Sequence, residues 1–323
     1  MKVTILGAGA YGLALATMVN ENNHKITIWT KLDSELEELK KNHTNNRVLP
    51  DFVLPNNFEY TNNLKKAVEN TDLIIIAVPA GFVDSVSKEL KQYYKNQHIC
   101  IASKGIEQDT CLFVDAVVKK YINTDRIAVI SGPSFAIDII KRVPIGLSLA
   151  TKNEETKNII IDALQNDCLK LRTTDDIVGI EVCGSVKNII AIASGIIDGM
   201  GLPESTQAMF ITEALHDMKE IIKALDGNKN TILSFAGFGD LLLTATSIKS
   251  RNFRFGKMIG EGNPKELIEQ YKNNTTIEGL YTLKSIYKLL DNKKVNIPII
   301  NLIYDIIFND KNPHEIKEFL IKK

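Results

Sequence analysis

Through the first half of the chain, short apolar runs alternate with amphipathic stretches. Lys2–Leu6 and Lys25–Trp29 read as strands, with Gly7–Gly12 as a turn and Leu13–Asn22 as a helix between them. Asp33 or Ser34 can cap a helix that runs to about Lys41. Residues 42–57 hold Pro50 and Pro55 and read as a loop, followed by a short helix over Leu64–Glu69. Leu73–Val78 is almost purely apolar, the pattern of a parallel strand covered on both faces. Helices are then predicted at Phe82–Tyr94, Leu112–Tyr121 and Glu154–Asn166. Strands are predicted at Ile99–Ala102, Ile127–Ile130, Ile145–Ala150 and Leu169–Arg172. Such repetition builds an open, mostly parallel sheet with helices on both faces.

After about Asp176 the pattern becomes helical and no strand is predicted. Ile177–Ile197 reads as one long apolar helix with Gly179, Gly184 and Gly195 inside it. A helical glycine costs ~1 kcal/mol relative to alanine, so these positions point to close packing or to the approach of a ligand. Further helices are predicted near Thr206–Leu225, Ile232–Phe235, Phe253–Ile259, Pro264–Tyr271, Gly279–Leu290, Ile297–Phe308 and Pro313–Lys322. The change of pattern divides the 323 residues into 1–176 and 177–323, in keeping with domains of ~100–200 residues.

Composition narrows the class of protein. Lys plus Arg equals Asp plus Glu at 39 each, which argues against a general binder of nucleic acid or anionic membrane. Cys100, Cys111, Cys168 and Cys183 form no CxxC pair and read as reduced, mostly buried thiols of a cytoplasmic protein. The histidines show no HExxH spacing, so no metal site is expected. A strand begins directly after Met1, without the apolar region of a signal peptide. No stretch reaches the ~20 apolar residues of a membrane helix, and no integral membrane partner is expected.

Gly7-Ala8-Gly9-Ala10-Tyr11-Gly12 matches GxGxxG directly between a strand and a helix. Gly7 permits the tight turn, Gly9 lets the backbone approach a pyrophosphate, and Gly12 lets helix and strand pack. The helix start then offers N–H groups to the anion. With the alternation above, the fold class is α/β: a Rossmann-type, doubly wound, mostly parallel sheet followed by an all-α C-terminal domain. NAD-selective folds carry an acid after the second strand, on the ribose 2′-hydroxyl. Here Trp29-Thr30-Lys31 stands there and no acid precedes Asp33, so Lys31 can pair with a 2′-phosphate or remain a solvated lysine. NADP(H) is favoured, with NAD(H) as the second candidate.

Val78-Pro79-Ala80, Ala102-Ser103-Lys104-Gly105 and Ser131-Gly132-Pro133-Ser134-Phe135-Ala136 end successive strands at the carboxyl edge, where such sheets bind ligands. Lys104 on its turn is placed to touch cofactor and substrate together; alone it reads as a surface lysine. Gly184-Ser185-Val186-Lys187-Asn188 sets an amine in an apolar helix. Such a lysine snorkels, pairs, or serves a site, and burial lowers its pKa toward the range of proton exchange with a carbonyl oxygen. Asp240, in Ala236-Gly237-Phe238-Gly239-Asp240-Leu241-Leu242-Leu243-Thr244, needs a cationic partner if buried, and Lys187 is the candidate. Ser250-Arg251-Asn252 at a helix start fits phosphate recognition, or a Ser cap beside surface arginines.

Together with the late Ile277-Glu278-Gly279, these motifs stand in the order seen in bacterial-type NAD(P)-dependent glycerol-3-phosphate dehydrogenase, which the whole chain resembles. The resemblance implies reduction of dihydroxyacetone phosphate to sn-glycerol 3-phosphate for phospholipid synthesis, by a cytoplasmic enzyme; a homodimer is a candidate assembly, and the sequence does not fix the oligomeric state. It makes Lys187 the proton donor, Lys104 the lysine shared by cofactor and substrate, and Asp240 and Thr244 the residues that orient lysine and substrate. Gly132, Ser134, Ser250, Arg251 and Asn252 resemble substrate-binding positions, with Arg251 on the phosphate. Ala10, Tyr11, Ala136, Arg251 and Glu278 resemble cofactor contacts. The chain departs from the family at Gln207 and Glu213, where cations are usual, and at Cys183-Gly184-Ser185, where small-Gly-Ala is commoner. The first departure bears on substrate choice or on subunit contact. Two other readings fit the architecture. A 3-hydroxyacid-type dehydrogenase of another phosphorylated or carboxylated ketone would lack the Ser250-Arg251-Asn252 set. A dinucleotide-binding regulator without turnover would not need Lys104, Lys187 and Asp240 together.

Overall fold

The computed structural model describes residues 1–290 and 293–322; Lys323, the last residue of the second predicted domain, lies outside them. Two compact units are present, Met1–Glu107 with Leu112–Ile177, and Gln108–Cys111 with Val178–Lys323.

The first unit opens with β1 (Lys2–Leu6), α1 (Ala10–Glu21), β2 (Lys25–Trp29), α2 (Asp33–Asn42), β3 (Glu59–Thr61), α3 (Leu64–Val68) and β4 (Leu73–Ile76). It continues with α4 (Ala80–Leu90), β5 (His98–Ile101), α5 (Val114–Tyr121), β6 (Ile127–Ser131), α6 (Ala136–Ile140), β7 (Ile145–Ala150), α7 (Glu154–Leu164) and β8 (Leu169–Thr174). The strands form one sheet in the order β3-β2-β1-β4-β5-β6-β7-β8. All neighbours run parallel except β6 and β7, where Val129 pairs with Ala150 in an antiparallel ladder. Both faces are covered. Val3 and Ile5 point to one side of β1 and Thr4 and Leu6 to the other, and all four are buried. The hydroxyl of Thr4 is satisfied there by the carbonyl of Ala67 at 2.6 Å.

Leu6 pairs with Trp29 on one side and Ile76 on the other, so β1, β2 and β4 end level with one another. Strand order reverses between β1 and β4, and in this architecture ligands bind outside the carboxyl ends at that point. The doubly wound sheet is as the sequence predicts, with differences in detail. Helix α1 starts at Ala10, inside the glycine motif rather than after it. Neither Asp33 nor Ser34 caps α2. Leu32 stands at its N-cap without a side-chain bond, and Asp33 and Glu35 in the first turn face the helix dipole instead. The edge strand β3 and the helix α6 were not predicted; at three and five residues they are too short to show a period.

The second unit is helical among its described residues: α8 (Ile177–Gly199), α9 (Glu204–Ala224), α10 (Asp240–Ala245), α11 (Arg251–Gly260), α12 (Lys265–Asn274), α13 (Glu278–Leu290), α14 (Pro298–Phe308) and α15 (Glu315–Ile321). In place of the predicted helix Ile232–Phe235 there are two short turns, Lys229–Leu233 and Phe235–Gly239. Helix α8 is long and apolar enough to cross a membrane, against the expectation that no stretch reaches that length. Its apolar window is nevertheless wholly buried inside the protein. The crossing with α11 is made backbone to backbone. A Cβ at Gly256 would lie 1.8 Å from the carbonyl oxygen of Ile192, and one at Gly195 2.0 Å from that of Phe253. Gly195 is therefore a close-packing glycine.

On α9, Asp217 is buried and accepts the N–H of Ile300 at 2.9 Å, in the first turn of α14. Burial pushes its carboxyl up to about 7, aided by Glu213 and opposed by the N–H groups of Ile300 and Ile299.

Two outcomes follow from this packing. Gly256→Ala forces a methyl group into a carbonyl and should cost about 3 kcal/mol or more in urea unfolding; a loss under about 1 kcal/mol would show that the helices part easily. Folded Asp217 holds a proton between about pH 4 and about pH 7 that the unfolded chain has released, so its contribution makes stability fall as pH rises through that window. Asp217→Asn keeps an acceptor for Ile300 and should flatten that part of the stability–pH curve; an unchanged slope would assign the effect elsewhere.

Candidate active site

In the first unit, the ends of β1, β4, β5 and β6 bring the glycine motif together with Lys104, Gly132 and Ser134. Gly7 has φ +120°, and a Cβ there would lie 2.8 Å from the carbonyl oxygen of Ala77 after β4. A Cβ on Gly12 would lie 2.3 Å from the carbonyl oxygen of Gly7. Both glycines are demanded by the fold itself. Gly9 is different: a Cβ there would meet nothing within 4 Å. Gly9 is also the N-cap of α1, no side chain bonds that helix start, and no acid stands in its first turn. Open space beside a helix start that no side chain caps is what a diphosphate requires. Tyr11, in the first turn, receives a hydrogen bond from the hydroxyl of Ser134 at 3.3 Å. The Nζ of Lys104 lies 5.8 Å from the centre of the Tyr11 ring and donates to the carbonyl of Gly132 at 3.3 Å. Lys104 is held by its neighbours: Ser103 bonds the carbonyl of Val78, and Gly105 takes φ +126°. Ala136 begins α6 and packs on the core.

Lys31 lies past the end of β2 with its side chain 73% exposed, 3.7 Å from Glu89. The sequence shows no acid before Asp33, yet the structure delivers one from further on. Glu35 turns back from α2, and its Oε2 accepts the hydroxyl of Thr30 at 2.6 Å. Arg47 pairs with the same carboxylate. Neither residue was predicted, because the contact comes from the fold of a helix and a loop rather than from spacing.

The second unit holds the other predicted cluster. Lys187 and Asp240 are buried, at 7% and 2% exposure. Nζ of Lys187 lies 2.7 Å from Oδ1 of Asp240 and donates to Oγ1 of Thr244 at 3.0 Å. The Thr244 hydroxyl is itself spent on the main-chain oxygen of Asp240 at 2.6 Å, so its oxygen faces the ammonium as an acceptor. Sequence dictates this arrangement locally. Ser234 accepts from the N–H of Gly237, and Gly237 takes a non-helical φ −82°, ψ −107°. A Cβ there would lie 2.2 Å from the carbonyl oxygen of Ile232. That turn ends with Asp240 as the first residue of α10, and Thr244 follows one helical turn later.

Ser250 is the N-cap of α11, accepting from the N–H of Phe253 at 3.3 Å. Asn252 is buried; it donates to Oδ1 of Asn188 at 3.1 Å and accepts from the N–H of Gly279 at 2.9 Å. Asn188 in turn donates to Glu278 at 3.1 Å. Arg251 is half exposed and lies 3.5 Å from Glu278. The structure thus joins Asn188, Asn252 and Glu278 in one network beside Lys187. Sequence reasoning gives Asn188 no role of its own; the signal that marks it is an amide within an apolar helix. Gln207 is half-buried and Glu213 exposed, both on α9. The Ser185 hydroxyl is buried without a hydrogen-bond partner among the described residues.

The family model described as NAD-dependent glycerol-3-phosphate dehydrogenase N-terminus matches residues 2–157, and that of the C-terminus matches 176–318. The chain belongs to this family. It is 36% identical to glycerol-3-phosphate dehydrogenase [NAD(P)+] of Fusobacterium nucleatum, covering 100% of this chain and 97% of that protein. It is 38% identical to the Thermoanaerobacter protein of the same name, over 98% and 95%. The crystal structure of glycerol-3-phosphate dehydrogenase from Coxiella burnetii superposes with a TM-score of 0.92 at 32% identity, covering 99% of both chains. In glycerol-3-phosphate dehydrogenase terms, the open Gly9 gives a direct test. Gly9→Ala should unfold at the parent's temperature or slightly above it, because its methyl group meets no protein atom and its φ suits alanine, yet bind NAD(P)H at least about tenfold more weakly in a fluorescence titration. Unchanged affinity would mean that no diphosphate lies over that turn.

Proposed function

We propose that the chain transfers a hydride between NAD(P)H and dihydroxyacetone phosphate to give sn-glycerol 3-phosphate, supplying phospholipid synthesis. Residues 1–176 hold the dinucleotide and residues 177–323 the substrate and the acid. The observation that carries this reading is the ammonium of Lys187, buried and fixed by Asp240 and Thr244, in a member of this dehydrogenase family.

When bound, the nicotinamide supplies the hydride to C2. The protein's task is the oxygen on that carbon, where negative charge develops. Lys187 stabilises that charge and delivers a proton to it, and takes the proton back in the reverse direction. Asp240 keeps the ammonium aimed, since a buried cation without its anion is costly. Lys104 stands between Tyr11 and Gly132 in the first unit, which supports contact with both cofactor and substrate. Gly132 and Ser134 shape the same turn, and Ala10, Tyr11 and Ala136 begin the helices that face the dinucleotide. Arg251, half exposed at the start of α11, is the fork donor for the substrate phosphate or the cofactor. Ser250 and Asn252 build the helix start that presents it, and Glu278 steadies it from α13. Lys31, an exposed cation past the end of β2, adds positive charge on the side of a 2′-phosphate, which favours NADP(H) while leaving NAD(H) acceptable. Four free cysteines and balanced charge fit a cytoplasmic setting.

Purified protein with NADPH and dihydroxyacetone phosphate should consume the nicotinamide absorbance. Lys187→Ala should abolish turnover with cofactor binding kept. Because it strands Asp240 and can cost ~3–5 kcal/mol, Lys187→Gln with Asp240→Asn is the companion variant, folded and equally inactive. Activity in either variant would remove Lys187 from the chemistry. Arg251→Ala should chiefly raise KM for the phosphorylated ketone, and an unchanged KM would count against its phosphate role.

A further inference from the structure

The loop after α2 is tied to two parts of the sheet edge at once. Asn45, 1% exposed, donates from Nδ2 to the carbonyl of Ala8 in the glycine-rich turn at 3.0 Å. Two residues further, the guanidinium of Arg47 bonds Oε1 of Glu35, whose Oε2 takes the hydroxyl of Thr30. Thr30 follows β2 directly, and its N–H is anchored on the carbonyl of Thr61 at 3.1 Å. Glu35 is buried, whereas the Arg47 side chain is 66% exposed. One loop therefore fixes a carboxylate and an outward guanidinium beside the end of β2, in register with the turn that faces the diphosphate.

In a doubly wound sheet, the end of β2 meets the adenosine ribose. The two substituents found on its 2′ oxygen make opposite demands. A 2′-phosphate calls for a planar, forked cation; a 2′-hydroxyl calls for an acceptor carboxylate. We propose that Arg47 and Glu35 together read this position, the guanidinium serving a phosphate and the carboxylate a hydroxyl, so that one site accepts both cofactors. The proposal rests on the dinucleotide reading of Gly7–Gly12. When Arg47 turns to a phosphate, Glu35 keeps the Thr30 hydroxyl, so the buried carboxylate is not left bare. Lys31 has no such tether, and its exposed contact with Glu89 is of a kind worth ~0–1 kcal/mol.

The test is a pair of fluorescence titrations, NADPH and NADH, on the full chain without substrate. Arg47→Gln should weaken NADPH at least about tenfold and leave NADH within about twofold. Glu35→Gln should weaken NADH several-fold and spare NADPH, with its unfolding midpoint measured alongside because Glu35 is buried. Should Arg47→Gln change neither affinity, or both alike, the assignment is overturned. Failure of the unaltered protein to bind either dinucleotide would instead overturn the reading of the glycine turn, and this proposal with it.

Discussion

The ion pair between Lys187 and Asp240 constrains everything around it. Each of its charges loses several kcal/mol of hydration on burial, and their mutual attraction recovers that only with good geometry and further hydrogen bonds. The fold supplies both. Gly237 allows a turn that no residue with a Cβ could make, so Asp240 starts α10 against α8. Thr244 then closes the arrangement by accepting from the ammonium while donating to Asp240. A pair of apolar side chains would fill the same volume at less cost, so stability does not explain the pair. The role proposed for Lys187, a fixed proton source shielded from water, accounts for it.

Helix α8 carries that amine, and its surroundings are as restrictive as its charge. Glycines at 195 and 256 let α8 and α11 touch through their backbones, which leaves the crossing little freedom. The same two helices are joined by the amides of Asn188 and Asn252, and Asn252 continues to α13 through Gly279. Rigid backbone contact and a satisfied amide chain thus set where Arg251 stands relative to Lys187. A site assembled this way has its geometry fixed before a substrate arrives, the condition under which electrostatic stabilisation is most effective.

Much of this was legible in the residues. The strands covered on both faces announced themselves as unbroken apolar runs, and α8 as an apolar helix with one amine. The demand that a buried acid find a cation led from Asp240 to Lys187. What escaped has physical reasons. β3 and α6 are shorter than the period that would reveal them, and α10 hides behind a glycine-rich turn. The antiparallel β7 reads like its neighbours because both its faces are buried. Glu35 and Arg47 meet through a helix turn and a loop, so no spacing in the chain foretells their contact. Ser250 and Asn252 were read as ligand contacts, and the structure shows first what they do for the protein, as a helix cap and an interhelical bridge.

The three motif glycines show how structure separates what a sequence pattern merges. Gly7 and Gly12 are required by neighbouring carbonyls, so their presence says only that strand, turn and helix pack closely. Gly9 is required by nothing in the chain: its φ suits any residue, and the space a side chain would occupy is open. An ordinary residue there would cost the protein less conformational entropy on folding. A glycine that the fold does not need, at an uncapped helix start without acids, therefore points outside the polypeptide. That position, more than the motif as a whole, marks the turn as one open to a diphosphate.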